Sequence, residues 1–197
     1  MTWQQRLLGQ ARAFTQALEN TVTRVTEEPT GVYLAASAAP TYTSNTTAYT
    51  DTLPDKARQD LKGIWRVGLY DQKAAIEKLS KTFRDVLQTP GRTKAELKNA
   101  IREAALALKA ESTKSIDQTT DKAIEYIEKL PEDQRDAAAD YWGSLSDRVL
   151  GFLSLAVEAV FSGGSQIIEL FNKIWDVDTR MEKEVQRAYE AALWLLD

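Results

Sequence analysis

Residues 55–88, DKARQDLKGIWRVGLYDQKAAIEKLSKTFRDVLQ, decide the fold class of this chain. Their large apolar side chains recur at intervals of three and four residues, the spacing that places side chains on one face of an α-helix. Pro54 and Asp55 favour a helix start here, and Thr89-Pro90-Gly91 favours its end. The predicted buried face consists of Leu61, Ile64, Trp65, Leu69, Ile76, Leu79, Phe83, Val86 and Leu87.

Gly63 and Gly68 lie inside this predicted helix. A glycine in a helix interior costs about 1 kcal/mol relative to alanine, so its presence needs a compensating reason. We expect either a bend of the helix or a close approach of a neighbouring helix at these two positions.

The same periodicity continues on both sides of this segment. It predicts a helix over 2–26, which Thr2 can cap, and another over 93–130. Thr93 and Glu96 have the spacing of a capping box, in which each side chain accepts a hydrogen bond from the other residue's backbone amide.

Two segments depart from the amphipathic pattern. Residues 29–53 are rich in Thr, Ala and Ser, and they predict a long irregular loop that either wraps the bundle as a connector or binds a partner. Residues 109–122, KAESTKSIDQTTDK, are nearly all polar. We expect this part of the 93–130 helix to project past the core or to lie on its surface.

The C-terminal third is the most apolar part of the sequence. Pro131 favours a helix start, and from Val149 to Phe161 the only charged residue is Glu158. Ser162-Gly163-Gly164-Ser165 predicts a break, so residues 149–175 are expected to form an apolar helix-Gly-Gly-helix hairpin. This hairpin is interpreted either as central core or as a segment that inserts into a membrane.

A last helix is expected to start at Asp178 or Thr179 and to carry an apolar face to the end of the sequence. Together these patterns predict an all-α protein, with residues 1–197 forming one domain. The domain is a bundle of about five to six amphipathic helices with one long irregular loop near its N-terminus.

Composition excludes several chemistries. The chain contains neither cysteine nor histidine, which excludes disulfides, thiolate metal sites, cysteine nucleophiles and Ser-His-Asp catalysis. The net charge is −4, divided into −1 over residues 1–53, +4 over residues 54–130 and −7 over residues 131–197. Neither segment is basic enough for a nucleic-acid binder. The first residues do not resemble a secretory signal, and we expect a cytoplasmic or peripheral membrane location.

Two groups of side chains are candidates for function. Aromatic and aliphatic side chains of the C-terminal third could meet an apolar ligand or a membrane, although each could equally be a core anchor. These candidates are Trp142, Phe152, Leu153, Phe161, Phe171, Trp175 and Trp194. Glu158 is a lone carboxylate in apolar sequence and is the residue whose pKa we expect to be perturbed.

A carboxylate series, Glu132, Asp133, Asp136 and Asp140, could in principle hold Mg²⁺ or Ca²⁺. Asp136 and Asp140 share a helix face, but no second acidic motif clearly faces them, and Glu182 and Glu184 are the nearest candidates. A solvated acidic face at a helix start explains the series equally well, so we predict no metal, no cofactor and no catalytic residues.

The function predicted from these features is non-enzymatic binding of apolar ligands, lipid or membrane surfaces. Two alternatives remain, a self-assembling scaffold in which the basic middle of one copy meets the acidic end of another, and a membrane-inserting protein of pore-forming type. Expected partners are therefore a lipid surface or further copies of this chain, and no nucleic acid. A carboxylate enzyme that uses a divalent metal is the third function class to be tested.

Overall fold

The computed structural model describes residues 2–27, 53–89, 91–169, 186 and 190, and from residue 152 onward few of the side chains. The described residues form four helices, α1 (Trp3–Glu27), α2 (Asp55–Gln88), α3 (Lys94–Glu128) and α4 (Glu132–Glu169), and none of them lies in a strand. The predicted all-α class is confirmed. The predicted loop, except Leu53, and most of the two predicted C-terminal helices lie outside the described residues.

The helix ends follow the local sequence signals. Thr2 and Gln5 exchange side-chain bonds with each other's backbone amides at the start of α1, and Thr93 and Glu96 form the predicted capping box of α3. At the end of α3, the Arg135 guanidinium donates to the backbone carbonyls of Glu128 and Leu130. Each of these bonds satisfies a backbone group that has no partner within its own helix.

Residue pairs across the bundle give the directions of the helices. Gln4 bonds to Glu128 and Glu19 pairs with Lys109, so α1 and α3 are antiparallel. Asp60 lies beside Tyr126 and Lys78 beside Glu111, so α2 and α3 are antiparallel as well. It follows that α1 and α2 run in the same direction. Each of them packs against both α3 and α4, and they face each other across the core.

This topology explains the long connection between α1 and α2. Because the two helices are parallel, the chain between Glu27 and Leu53 must return along the length of α1, which is about 37 Å for 25 residues. The segment has 25 residues of its own, enough to span that distance with slack. Two consecutive helices that run in the same direction therefore need a long connection at this place in the sequence.

The core fills the space between the four helices. Its centre contains Phe14 of α1, Trp65 of α2 and Trp142 of α4, which are 3%, 3% and 1% exposed. Apolar side chains of all four helices continue the core above and below them. They include Leu7, Leu18, Leu61, Leu69, Phe83, Leu108, Ile116, Ile127, Leu145 and Val149.

Two expectations about the helices are wrong. The polar residues 109–122 do not project past the core, because Ser112, Ser115, Thr119 and Thr120 are buried at 1–6% exposure. Their side chains are small enough to lie between closely packed helices and can bond to helix carbonyls, so a polar sequence forms a buried face. The predicted break at 162–165 is also absent, since α4 continues to Glu169. Two glycines weaken a helix by about 2 kcal/mol together, which tertiary packing can outweigh.

Candidate functional site

The α2–α3 interface is built from small and polar residues. We define it as the seam, which consists of Gly68 and Gln72 of α2 with Ser112, Ser115 and Thr119 of α3. A Cβ atom on Gly68 would lie 2.5 Å from Oγ1 and 3.3 Å from Cβ of Thr119, so the glycine permits a close approach of the two helices. The expectation of close approach is thus confirmed at Gly68, whereas a Cβ on Gly63 would meet nothing within 4 Å.

Buried hydrogen bonds run along the seam. The Gln72 side-chain amide donates to the Ser112 carbonyl at 3.0 Å, and the Ser115 hydroxyl donates to the Gly68 carbonyl at 3.5 Å. The Thr119 hydroxyl donates to the Ser115 carbonyl of its own helix at 2.7 Å. At the edge of the interface, Tyr126 donates to Asp60 at 2.9 Å, and burial together with this bond raises the pKa of Tyr126 to about 12. The α2–α3 pair is therefore held by directional polar contacts.

The α1–α4 pair is also held by polar groups, which here are charged. The Arg6 guanidinium pairs with Asp136 and, at 2.6 Å, with Asp140, so the two aspartates share a helix face as predicted. One turn further along α1, Gln10 packs directly on the bare backbone of Gly143. Burial raises the pKa of Asp140, and Asp136 adds to this, while Arg6 acts in the opposite direction.

Asp147 is the next carboxylate on this side of α4. It is partly buried and forms no hydrogen bond or ion pair within the part of the chain that the structure describes. Burial alone raises the pKa of Asp147, because the charged form loses hydration without gaining a partner. The ionised carboxylate therefore opposes the packed state of α4.

Contacts between the two helix pairs have a different character. We define the joint as the interface between the α1–α4 pair and the α2–α3 pair. Its centre is an aromatic stack in which Trp65 lies 5.2 Å from Trp142 and 6.0 Å from Phe14, measured between ring centroids. Trp65 Nε1 is buried without a hydrogen-bond partner among the described residues, so even this polar atom does not tie the pairs together.

Polar contacts across the joint lie at its periphery. The Lys109 ammonium of α3 pairs with the Glu19 carboxylate of α1, with side-chain exposures of 33% and 39%. The Gln4 amide of α1 reaches Glu128 of α3 at 3.4 Å, which is a weak bond between exposed groups. Partly exposed ion pairs of this kind contribute about 0–1 kcal/mol, so burial of apolar surface holds the pairs together.

The residues predicted as apolar contacts are placed only in part. Trp142 belongs to the stack at the joint and is buried in the closed bundle. Phe152, Leu153, Phe161 and Glu158 lie on α4, but their side chains are outside the described residues. Phe171, Trp175 and Trp194 lie wholly outside them, so their assignment stays a prediction.

The carboxylate series does not assemble a metal site among the residues described. No group of three or more potential metal ligands occurs there, and Asp136 and Asp140 are turned to Arg6. Glu182 and Glu184 lie outside the described residues. The sequence analysis did not identify Arg6 as the partner of Asp136 and Asp140. The available signal was a basic residue on the predicted α1 together with a row of acidic residues at the start of α4.

Comparisons with family models, with curated proteins and with solved structures gave no match to this chain. Within the described part of the chain, no helix combines the length and the apolar character that a membrane crossing requires.

Proposed function

We propose that this protein binds lipid surfaces by separating its two helix pairs at the joint. In the closed bundle the apolar faces of all four helices cover one another. In the bound form the α1–α4 pair and the α2–α3 pair lie on the surface, with these faces against the acyl chains. The observation that carries this proposal is that the contacts at the centre of the joint are apolar, whereas directional polar contacts hold each pair.

The kind of contact decides which interface lipid can replace. An acyl layer offers apolar surface to Phe14, Trp65 and Trp142, so the burial lost on opening is regained at the membrane. It offers no partner to the Gln72 amide or to the partly buried Arg6–Asp140 ion pair, whose loss would leave polar groups without partners. Opening is therefore expected at the joint and not within either pair.

The chain connections are compatible with such a separation. The pairs are joined by the turn at 129–131, which can act as a hinge, and by the 25 residues between Glu27 and Leu53. The polar contacts of Lys109 with Glu19 and of Gln4 with Glu128 must break, but they are partly exposed, and water can replace their partners. The bonds of Arg135 to the Glu128 and Leu130 carbonyls also join the two pairs, and they lie at the hinge itself.

A crosslink across the joint tests the proposal. Because the chain has no cysteine, two introduced thiols are the only ones available to a short bifunctional thiol reagent. Glu19→Cys with Lys109→Cys places them at touching side chains of the two pairs. We expect the protein to float with phosphatidylcholine vesicles before crosslinking and to lose this binding afterwards.

The matched control introduces its crosslink between two helices that belong to the same pair. Lys78 and Glu111 also touch, but both belong to the α2–α3 pair, so Lys78→Cys with Glu111→Cys should bind vesicles equally well with and without the crosslink. Equal binding of the two crosslinked proteins would reject opening at the joint. If the unmodified protein floats with neither neutral nor anionic vesicles and co-purifies with no lipid, lipid binding itself is rejected.

A further inference from the structure

The basic and the acidic side chains of α2 differ in how close they lie to the buried face of the helix. Five of its eight basic side chains lie close to it, since Arg58 and Lys73 are only 32% and 26% exposed and Lys62, Arg66 and Arg84 are also partly buried, whereas Lys56, Lys78 and Lys81 are exposed. Acidic side chains lie further out, with exposures of 95% for Asp55, 56% for Glu77 and 61% for Asp85. Asp71 is exposed too, which leaves Asp60 as the one partly buried acid of this helix.

The partly buried basic residues form one row. Arg58, Lys62, Arg66, Lys73 and Arg84 follow one another at intervals of four, four, seven and eleven residues, which are close to whole helical turns. We call them the basic row. By helical rotation the row lies on the Trp65 side of the buried face, and Gly68 lies on the opposite edge, against α3. The basic row therefore borders the joint.

We infer that the basic row of α2 recognises anionic phospholipid headgroups when the joint opens. This inference rests on the proposed function and names the class of lipid. With the apolar face of α2 on the acyl chains, side chains at its border extend their aliphatic stems along the apolar surface and place their charges at headgroup depth. Asp71 and Asp85 are exposed and remain in water, whereas Asp55 and Glu77 pair with Arg58 and Lys73 and compete with the phosphates for them.

The overall charge of the chain does not favour such a preference. A protein of net charge −4 is repelled by an anionic surface unless its basic residues are concentrated where the contact forms. Arg58 and Lys73 pair with acidic neighbours on α2 itself, and Arg66, Lys73 and Arg84 have contacts in the closed bundle. Opening at the joint leaves the row on α2, so these charges move to the lipid surface together.

Removal of charge from the row tests this inference. We expect full-length Lys62→Gln/Arg66→Gln/Lys73→Gln to bind phosphatidylserine-containing vesicles roughly 100-fold more weakly than the unmodified protein, from about a fivefold loss for each of the three basic residues. Binding to pure phosphatidylcholine should be unchanged. The preference of the unmodified protein for anionic vesicles should also decrease as salt rises, because salt screens the attraction.

The matched control removes the same charge elsewhere. Lys56, Lys81 and Lys114 are exposed on outer faces of α2 and α3. In the bound form their charges would lie about a helix diameter from the lipid surface. The triple variant Lys56→Gln/Lys81→Gln/Lys114→Gln should therefore keep the preference for anionic vesicles within about threefold. Equal losses in both triple variants would overturn the inference. If circular dichroism shows that Lys62→Gln/Arg66→Gln/Lys73→Gln is less folded than the unmodified protein, Lys62→Arg/Lys73→Arg is tested in its place. This variant keeps the charge of the basic row, so it must retain the preference for anionic over neutral vesicles.

The outcomes separate this inference from the proposed function. Binding to neutral and anionic vesicles with equal affinity rejects the role of the basic row but leaves opening at the joint in place. An absence of binding to both vesicle types rejects the proposed function, and the basic row then has no lipid to recognise.

Discussion

The seam and the joint belong to the same bundle but are made of different chemistry. At the seam, Gly68 lets α3 approach closely, and buried amide and hydroxyl groups bond to helix carbonyls. At the joint, Phe14, Trp65 and Trp142 stack without a hydrogen bond between the pairs at their centre. Polar bonds fix a single register, while apolar contacts require only that water be excluded. The two interfaces therefore differ in how strictly they fix the register of the helices.

The two pairs also differ in the polar groups that they bury. Between α2 and α3 these groups are neutral, and most of them find backbone partners. Between α1 and α4 they are charged, and Asp147 on α4 finds none among the described residues. Burial of a charge costs more than burial of an amide or hydroxyl, so α4 is packed with a penalty that α3 does not carry.

The largest expected effect is at the joint. Trp142→Ala removes the most buried ring of the stack, and we expect the free energy of unfolding to fall by about 3–5 kcal/mol. Urea denaturation followed by circular dichroism measures it. Trp142→Phe keeps an aromatic ring and should lose clearly less. A loss below about 1 kcal/mol for Trp142→Ala would mean that the stack is not the main contact between the pairs.

The seam is tested by a pair of glycine substitutions in the same helix. Gly68→Ala adds a methyl group that must displace Thr119, and we expect a loss of about 1–3 kcal/mol. Gly63→Ala adds the same group in open space, and the higher helix propensity of alanine should increase stability by about 0.5–1 kcal/mol. Thermal unfolding of the two variants should shift in opposite directions. Stabilisation by both would contradict a close α2–α3 contact at Gly68.

Much of the fold was predictable from the sequence because apolar periodicity and helix caps are local signals. The first three helices begin and end close to the predicted residues, and Thr93 caps α3 as expected. The burial of residues 109–122 was not predictable in this way. Hydropathy scores Ser and Thr by their polarity, whereas a close interface selects them for their small size and for their ability to bond to carbonyls.

The candidate site was less predictable, because it depends on which helices are neighbours. Trp142 was identified as a notable apolar residue, but its stacking on Trp65 requires knowledge of the bundle order. Asp136 and Asp140 were recognised as one helix face, while their partner Arg6 lies 130 residues away from Asp136 in the chain. Local periodicity indicates which face of a helix is buried, but not which helix covers it.

The smallest effect concerns Asp147 on α4, a carboxylate that has no partner among the described residues. Because burial raises the pKa of Asp147 in the folded state above its ordinary value of 3.8, ionisation lowers the free energy of unfolding. The favourable contribution of the protonated group is complete below pH 3.8 and is lost as the pH rises through the raised pKa. Asp147→Asn cannot ionise, so at neutral pH it should be more stable than the unmodified protein by up to about 1 kcal/mol.

The pH dependence distinguishes this cause from a general effect of the amide. The advantage of Asp147→Asn should shrink as the pH falls towards 3.8 and disappear below it, as measured by urea denaturation at a series of pH values. Asp121→Asn, on the exposed surface of α3, should change stability by less than about 0.5 kcal/mol at every pH. An advantage of Asp147→Asn that stays constant with pH would show that the carboxylate charge does not oppose packing. In that case it would make no difference to stability at this position that the α1–α4 pair buries charged groups while the seam buries neutral ones.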